Sequence, residues 1–306
     1  MTTTLQTLAA LALVLGLVAA WSGGATAAAA PGREGWTLYF HDEFDGDTLD
    51  TSVWRPYHNT YGDGNNELQC HTPSNVSLRN GHLVIQARRE AYRCPSGTNL
   101  NRQFTSGFLG TRENNVYFPR FARYEIRAAL PHGNALWPAF WLRHRDGSRV
   151  IEIDVMEYFH AQQPGRTSVA IHYGGRSNYA QGVIRFEDPA GPSQFHTWAV
   201  EIEPGEGNRV CVTFYLDDKP VPLHRPENTN TLCFEDVDGA FARHPGENLF
   251  DIAVNLSIGG NWVGHPDGPL ETLMNGRPAA ASGVLPTTFP AEYVIDYVRV
   301  YVRPEK

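Results

Sequence analysis

Short runs of period two, or rich in β-branched residues, recur along almost the whole chain: "SLRNGHLVIQARR", "RYEIRAAL", "VIEIDVMEY", "TSVAIHY", "FHTWAVEIE", "RVCVTFYLDD", "FDIAVNLSI" and "YVIDYVRVYV". Alternation places one set of side chains on each face of a strand, so such runs need a second layer to cover their apolar face. Turn residues separate them, and the "RNG" of residues 79–81 between two runs predicts a hairpin. The one apolar run with a helical look lies in the first twenty residues. Many short strands without a long helix predict an all-β sandwich or jelly roll. No Ser/Pro/Gly linker, repeat or low-complexity tail divides residues 31–306, which are expected to form one domain.

Residues 5–20, "LQTLAALALVLGLVAA", are uncharged and apolar, and the small residues "GGATAAAAP" follow. This is the pattern of a secretory signal, with cleavage expected between Ala25 and Ala30, although no Lys or Arg precedes the run. It is short for a membrane span and lacks a charged stop-transfer flank. The product is expected outside the cell, free of the membrane. The leader carries no charge, so the remaining chain keeps the whole balance of 25 basic and 33 acidic residues, −8, which repels phosphate backbones and argues against nucleic acid as a partner. Cys70, Cys94, Cys211 and Cys233 all lie after the leader, and an even number in an oxidising compartment predicts two disulfides. Three pairings exist. The local pair Cys70–Cys94 with Cys211–Cys233 is the expected one, each loop restricting the unfolded chain by roughly 3 kcal/mol. No CxxC pair supports a metal site instead.

The densest chemistry lies in "EIDVMEYF", residues 152–159. Period two puts Glu152 and Asp154 on one face and Glu157 on the other. One extra residue in the strand, a β-bulge at Val155 or Met156, returns Glu157 to the face of the other acids. With that bulge the Cα atoms of Glu152 and Glu157 lie ~13 Å apart. Side chains reaching ~4 Å toward each other leave ~5–6 Å between carboxyl carbons. Retaining glycosidases hold nucleophile and acid/base about 5–5.5 Å apart. Alternating acids on a strand are most often a solvated face. Here, however, Trp137, Phe140 and Trp141 precede them in "LWPAFWL" and His172 follows in "AIHY". Indoles stack on the C–H faces of sugars, so tryptophan beside carboxylates suits a saccharide cleft.

With "RYEIRAALPHGNALWPAFWL", "YGDGNNELQCHT", "LSIGGNWVGHPD" and "VIDYVRVYV", the acid motif resembles glycoside hydrolase family sixteen. The similarity is to its laminarinase-like branch, which has the extra residue before the last Glu, and it runs from "HDEF" at residue 41 to residue 302. The resemblance implies a jelly roll of two curved antiparallel sheets with a cleft on the concave face. It also implies endo-hydrolysis of β-1,3-linked glucan with retention, by a monomer. Carried over, Glu152 is the nucleophile, Glu157 the acid/base, and Asp154 the carboxyl that keeps Glu157 protonated and steadies Glu152. His172 is expected to face the site, Asn66 to bind a sugar on the non-reducing side, Trp137 and Trp141 to stack, and Trp262 to line the cleft edge. Phe108, in "TSGFLGTR", departs from the pattern: many relatives have there an Arg that contacts sugar hydroxyls. That leaves mixed-linkage glucan and β-galactan as alternative substrates.

The family also often holds a structural calcium ion on the convex face, largely through backbone oxygens; the matching positions are Glu43, Gly81 and Asp296. No cofactor is expected in the chemistry. Two further readings share these residues. A carbohydrate-binding jelly roll has no need of Glu157, and a transglycosylase passes the intermediate to a sugar instead of water.

Overall fold

The structure is a computed structural model that describes residues 32–147, 151–158, 165–173, 194–223, 229–236, 239–241, 248–266 and 287–304, with backbone alone at 176–185, 273–274 and 277–278. The leader at 1–30 lies outside the described residues. The strands make two sheets of eleven and eight members, and the only helices among the described residues are three single 3-10 turns. This is the expected β-jelly-roll sandwich. Strand pairing is antiparallel apart from one short parallel contact, Gln69–His71 with Asn101–Ser106.

The "RNG" hairpin forms as its residues dictate. Arg79 pairs with His82, and Asn80 and Gly81 both take positive φ, 55° and 73°, as a two-residue turn of this hand requires. Both local disulfides are present, Cys70–Cys94 and Cys211–Cys233.

The eight-stranded sheet carries the chemistry. Seven of its strands lie in the order Arg176–Arg185, Arg166–Tyr173, Ile151–Tyr158, Leu136–His144, Asn248–Ile258, Phe108–Gly110 and Arg55–Pro56, and the eighth, Phe118–Pro119, pairs with Asn248–Ile258 beside that path. We call Ile151–Tyr158 the acid strand and Leu136–His144 the tryptophan strand. In the latter, Leu136, Phe140 and Leu142 enter the core, while Trp137 and Trp141 line a cavity on the opposite face. Across the core they meet Tyr124, Ile126, Trp198, Val200, Val298 and Val300 of the eleven-stranded sheet, all fully buried. Each aliphatic side chain so buried stabilises the fold by roughly 1.5–3 kcal/mol. Period two thus settles both the inter-sheet core and the composition of the exposed cleft face.

Candidate active site

The acid strand does not run in even register. Against the tryptophan strand, Glu157 pairs with Ala139, Met156 with Phe140 and Asp154 with Trp141, so Val155 is the residue without a partner. On its other edge Asp154 pairs with Ala170 and Glu157 with Ser168, again one residue too many on the acid strand. Val155 and Met156 therefore both turn into the core. Glu152, Asp154 and Glu157 all line one cavity. The bulge falls where the sequence expectation put it, and its cause is visible: two consecutive apolar side chains both find cover only on the core face.

The acids are tied to neighbouring strands. His172, opposite Glu152 on Arg166–Tyr173, brings Nε2 within 2.9 Å of Asp154 Oδ2 and 3.8 Å of Glu152 Oε1. Trp137 Nε1 donates to Glu157 Oε1 at 3.1 Å, and Ser168 Oγ donates to Oε2 at 3.4 Å. Asp154 is only 5% exposed, and burial pushes its carboxyl up from the usual range. Glu157 is pushed up strongly, first by burial and then by the negative charge of Asp154, against the opposing pull of the Trp137 N–H. A carboxyl that keeps its proton within a row of acids is what general acid catalysis needs. Small residues stand opposite two of the acids, Ala139 across from Glu157 and Ala170 across from Asp154, and Ala253 stands across from Trp141.

The cavity holds ≈ 690 Å³, within the range of small-ligand sites. Trp141, 9% exposed, is fixed by its Nε1 donating to Asn255 Oδ1 at 2.8 Å. Asp63, Glu67, Glu152, Asp154 and Glu157 are among the lining residues, and among the described residues no Lys, Arg or His is. Phe108, at the position where an arginine was looked for, is 1% exposed and stacks on Tyr57 with centroids 4.1 Å apart. The positive charge lies behind it. Arg143 of the tryptophan strand is buried, pairs with Asp251 and donates from Nη1 to Tyr57 Oη at 3.1 Å. Its carbon Cζ sits 5.7 Å from the Phe108 centroid.

Two expected sugar contacts flank the cavity and do not line it. Asn66 sits in a left-handed turn and donates from Nδ2 to Asn261 Oδ1 at 2.9 Å. That bond joins the loop at 62–66 to the loop carrying Trp262, which is half-buried and outside the lining. The neighbours Asn65 and Glu67 face the cavity instead. Glu67 is held by Gln69, Asn65 and Ser257, and burial raises its carboxyl. Its carboxylate lies against Gly62, where φ is 102° and an added Cβ would sit 2.1 Å from Oε2. Only glycine fits there. Tyr61, Asn255 and Ser257 also line the cavity and were not singled out from the sequence. "GNNELQ" carried a signal for the loop, but nothing in it says which of its neighbouring polar residues turns inward.

The proposed calcium positions are otherwise engaged. Glu43 accepts from Arg299 Nε at 2.9 Å and Nη2 at 2.7 Å. Asp296 is paired with Arg127 and lies 3.6 Å from His82 Nε2. Gly81 supplies no side chain. These pairs leave an ion at this place to the backbone oxygens, the ligands that the resemblance implies.

A model of the family described as glycosyl hydrolases family 16 matches residues 67–262. Glucan endo-1,3-beta-glucosidase A1 of Niallia circulans is 32% identical over 290 residues, covering 89% of this chain and 38% of its own. Glucan endo-1,3-beta-glucosidase of Cryptopygus antarcticus is 31% identical over 273 residues, covering 85% of this chain and 91% of its own. The chain thus spans well under half of the first relative and most of the second. Among solved structures, the endo-beta-1,3-glucanase from Pyrococcus furiosus superposes with a TM-score of 0.68 at 28% identity, over 89% of this chain and 96% of that one. The laminarinase catalytic domain from Thermotoga maritima does so with a TM-score of 0.65 at 25% identity, over 88% and 99%.

Proposed function

The chain belongs to the glycosyl hydrolases of family 16, and from that premise we propose that it cleaves β-1,3-linked glucan internally, with retention at the anomeric carbon. The observation that carries the reading is the asymmetry within one row of acids: Glu157 is built to hold a proton, while Glu152 sits beside His172 and Asp154 at the same cavity.

In the first step a carboxylate oxygen of Glu152 attacks C1 of the bound sugar. The bond from C1 to the glycosidic oxygen breaks, and that oxygen takes the proton of Glu157. A covalent glycosyl-enzyme results. In the second step Glu157, now a carboxylate, takes a proton from water as the water oxygen attacks C1 from the opposite side, releasing Glu152. Asp154 supplies the negative charge that keeps Glu157 protonated at rest, and the His172 ring holds Asp154 in place. Trp137 orients the acid through its N–H and offers its ring face to the sugar. A calcium ion has no part in these steps.

Export fits the two disulfides, which persist in oxidising compartments. The test is incubation with laminarin, mixed-linkage β-glucan and β-galactan, following reducing ends and the anomeric configuration of the first product by NMR. Release of β-configured oligosaccharides from laminarin is expected. No reducing ends from any of the three would leave a binding protein, and products longer than the substrate would mean transfer to sugar instead of water.

A further inference from the structure

Tyr61 is unusual in its setting. Among the described residues only Tyr39 and Tyr61 keep a large ring exposed, and Tyr39 is far from the acids, bonded to Asn248. Tyr61 is 42% exposed and lines the cavity. Its ring stands edge-on to Phe108 and Tyr57, with centroids at 5.1 and 5.8 Å, and tilts by 34° to Trp141 at 6.4 Å. Together these rings make a continuous aromatic wall beside the acids. Tyr61 shares this wall with Glu152, which lines the same cavity, and Arg143 lies behind it, its Cζ 5.3 Å from the Trp141 ring and 5.7 Å from the Phe108 ring. Arg143 cannot swing away, being held by Asp251 and Tyr57. The backbone is fixed as well: Tyr61 N–H donates to Asn59 Oδ1 at 3.0 Å, and Thr60 N–H to Ser96 O at 3.2 Å.

We propose that Tyr61 is a specificity-determining residue, whose ring extends the Trp141 wall for a neutral glucosyl unit and whose hydroxyl hydrogen-bonds a hydroxyl of that unit. The proposal rests on the hydrolase reading and deepens it. A phenolic hydroxyl can both donate and accept, so at the exposed edge of the wall it can meet a sugar hydroxyl in either role. A β-glucosyl unit carries its ring hydroxyls equatorially, so its faces are C–H surfaces suited to aromatic rings. Among the described residues the lining holds no Lys, Arg or His, so a sulfated or uronic sugar would find no cation there to pair with. Tyr61 thus supplies a polar contact from the loop at 59–66, on the wall where Phe108 supplies none.

The test uses the full exported chain with Glu152→Gln to block turnover, titrated with laminarihexaose by calorimetry, alone and combined with Tyr61→Phe or Tyr61→Ala. Loss of one well-placed hydrogen bond should weaken binding about tenfold for Tyr61→Phe. Loss of the ring as well should weaken it further for Tyr61→Ala, while thermal unfolding shows each variant folded. With Glu152 restored, Tyr61→Phe should raise KM for laminarin and leave kcat near its starting value, because the contact is made in ground and transition state alike. Binding by Tyr61→Ala within twofold of the parent overturns the proposal, and so does Tyr61→Phe behaving like the parent while only Tyr61→Ala fails. Lack of hydrolysis by the unsubstituted chain sinks the hydrolase reading instead, while the titrations still report on Tyr61.

Discussion

Glu157 sits where several influences meet: burial and the charge of Asp154 keep its proton on, while Trp137 and His172 pull the other way. The same balance has a thermodynamic side. In the unfolded chain the group titrates near 4.3. Its folded value is raised, so its contribution to stability is intact below that pH and is lost as pH rises toward the folded value. Glu157→Gln should therefore melt a few degrees higher than the parent at pH 8 and at the same temperature at pH 4, by calorimetry. The same variant should lose hydrolysis. With Glu157→Ala, azide should restore turnover of an activated aryl glycoside, giving a β-configured azide; an α-azide would mean inversion. Glu152→Gln should abolish hydrolysis and keep polysaccharide binding, and residual kcat above roughly a thousandth of the parent would remove Glu152 from the nucleophile's role. At this scale the acids were legible in the sequence because three carboxylates on a strand repel each other and need a reason. The ring of Tyr61 and the carboxyl of Glu67 were not, since their placement depends on partners such as Trp141 and Ser257 far along the chain.

One residue of excess length decides the acid strand. With Val155 unpaired against the tryptophan strand, Glu157 returns to the cleft; without the excess, simple alternation puts it there only if the spacing shortens to E-x-D-x-E. Deleting Met156 or Val155 should therefore leave all three acids on one face and preserve measurable activity on laminarin. The cost is one core side chain, on the order of 2–5 kcal/mol, seen as a lower unfolding midpoint. Inserting one residue after Met156 should turn Glu157 into the core and silence the enzyme. Strands, hairpin and bulge could be read from the sequence because they follow local periods. The contacts of Asn66 and Trp262 could not: Asn66 bonds Asn261, 195 residues away, and no local pattern encodes which way a loop residue turns.

Across the whole molecule the two disulfides have unequal duties. Cys211–Cys233 ties two neighbouring strands of the eleven-stranded sheet. Cys70–Cys94 anchors the segment that includes Ser96 and Thr98, and these bond the cavity loop at Thr60 and Asp63. Replacing either pair with alanine should cost roughly 3 kcal/mol. Only loss of Cys70–Cys94 should also raise KM for laminarin, by loosening the loop that carries Tyr61. The acids of the cavity lining, with no Lys, Arg or His beside them among the described residues, carry one more consequence. Such a hollow favours a ring-shaped inhibitor bearing a protonated nitrogen where the sugar has its anomeric carbon. Grip on an iminosugar should loosen as added salt screens the attraction, while an uncharged lactone of the same shape should be held equally at low and high ionic strength.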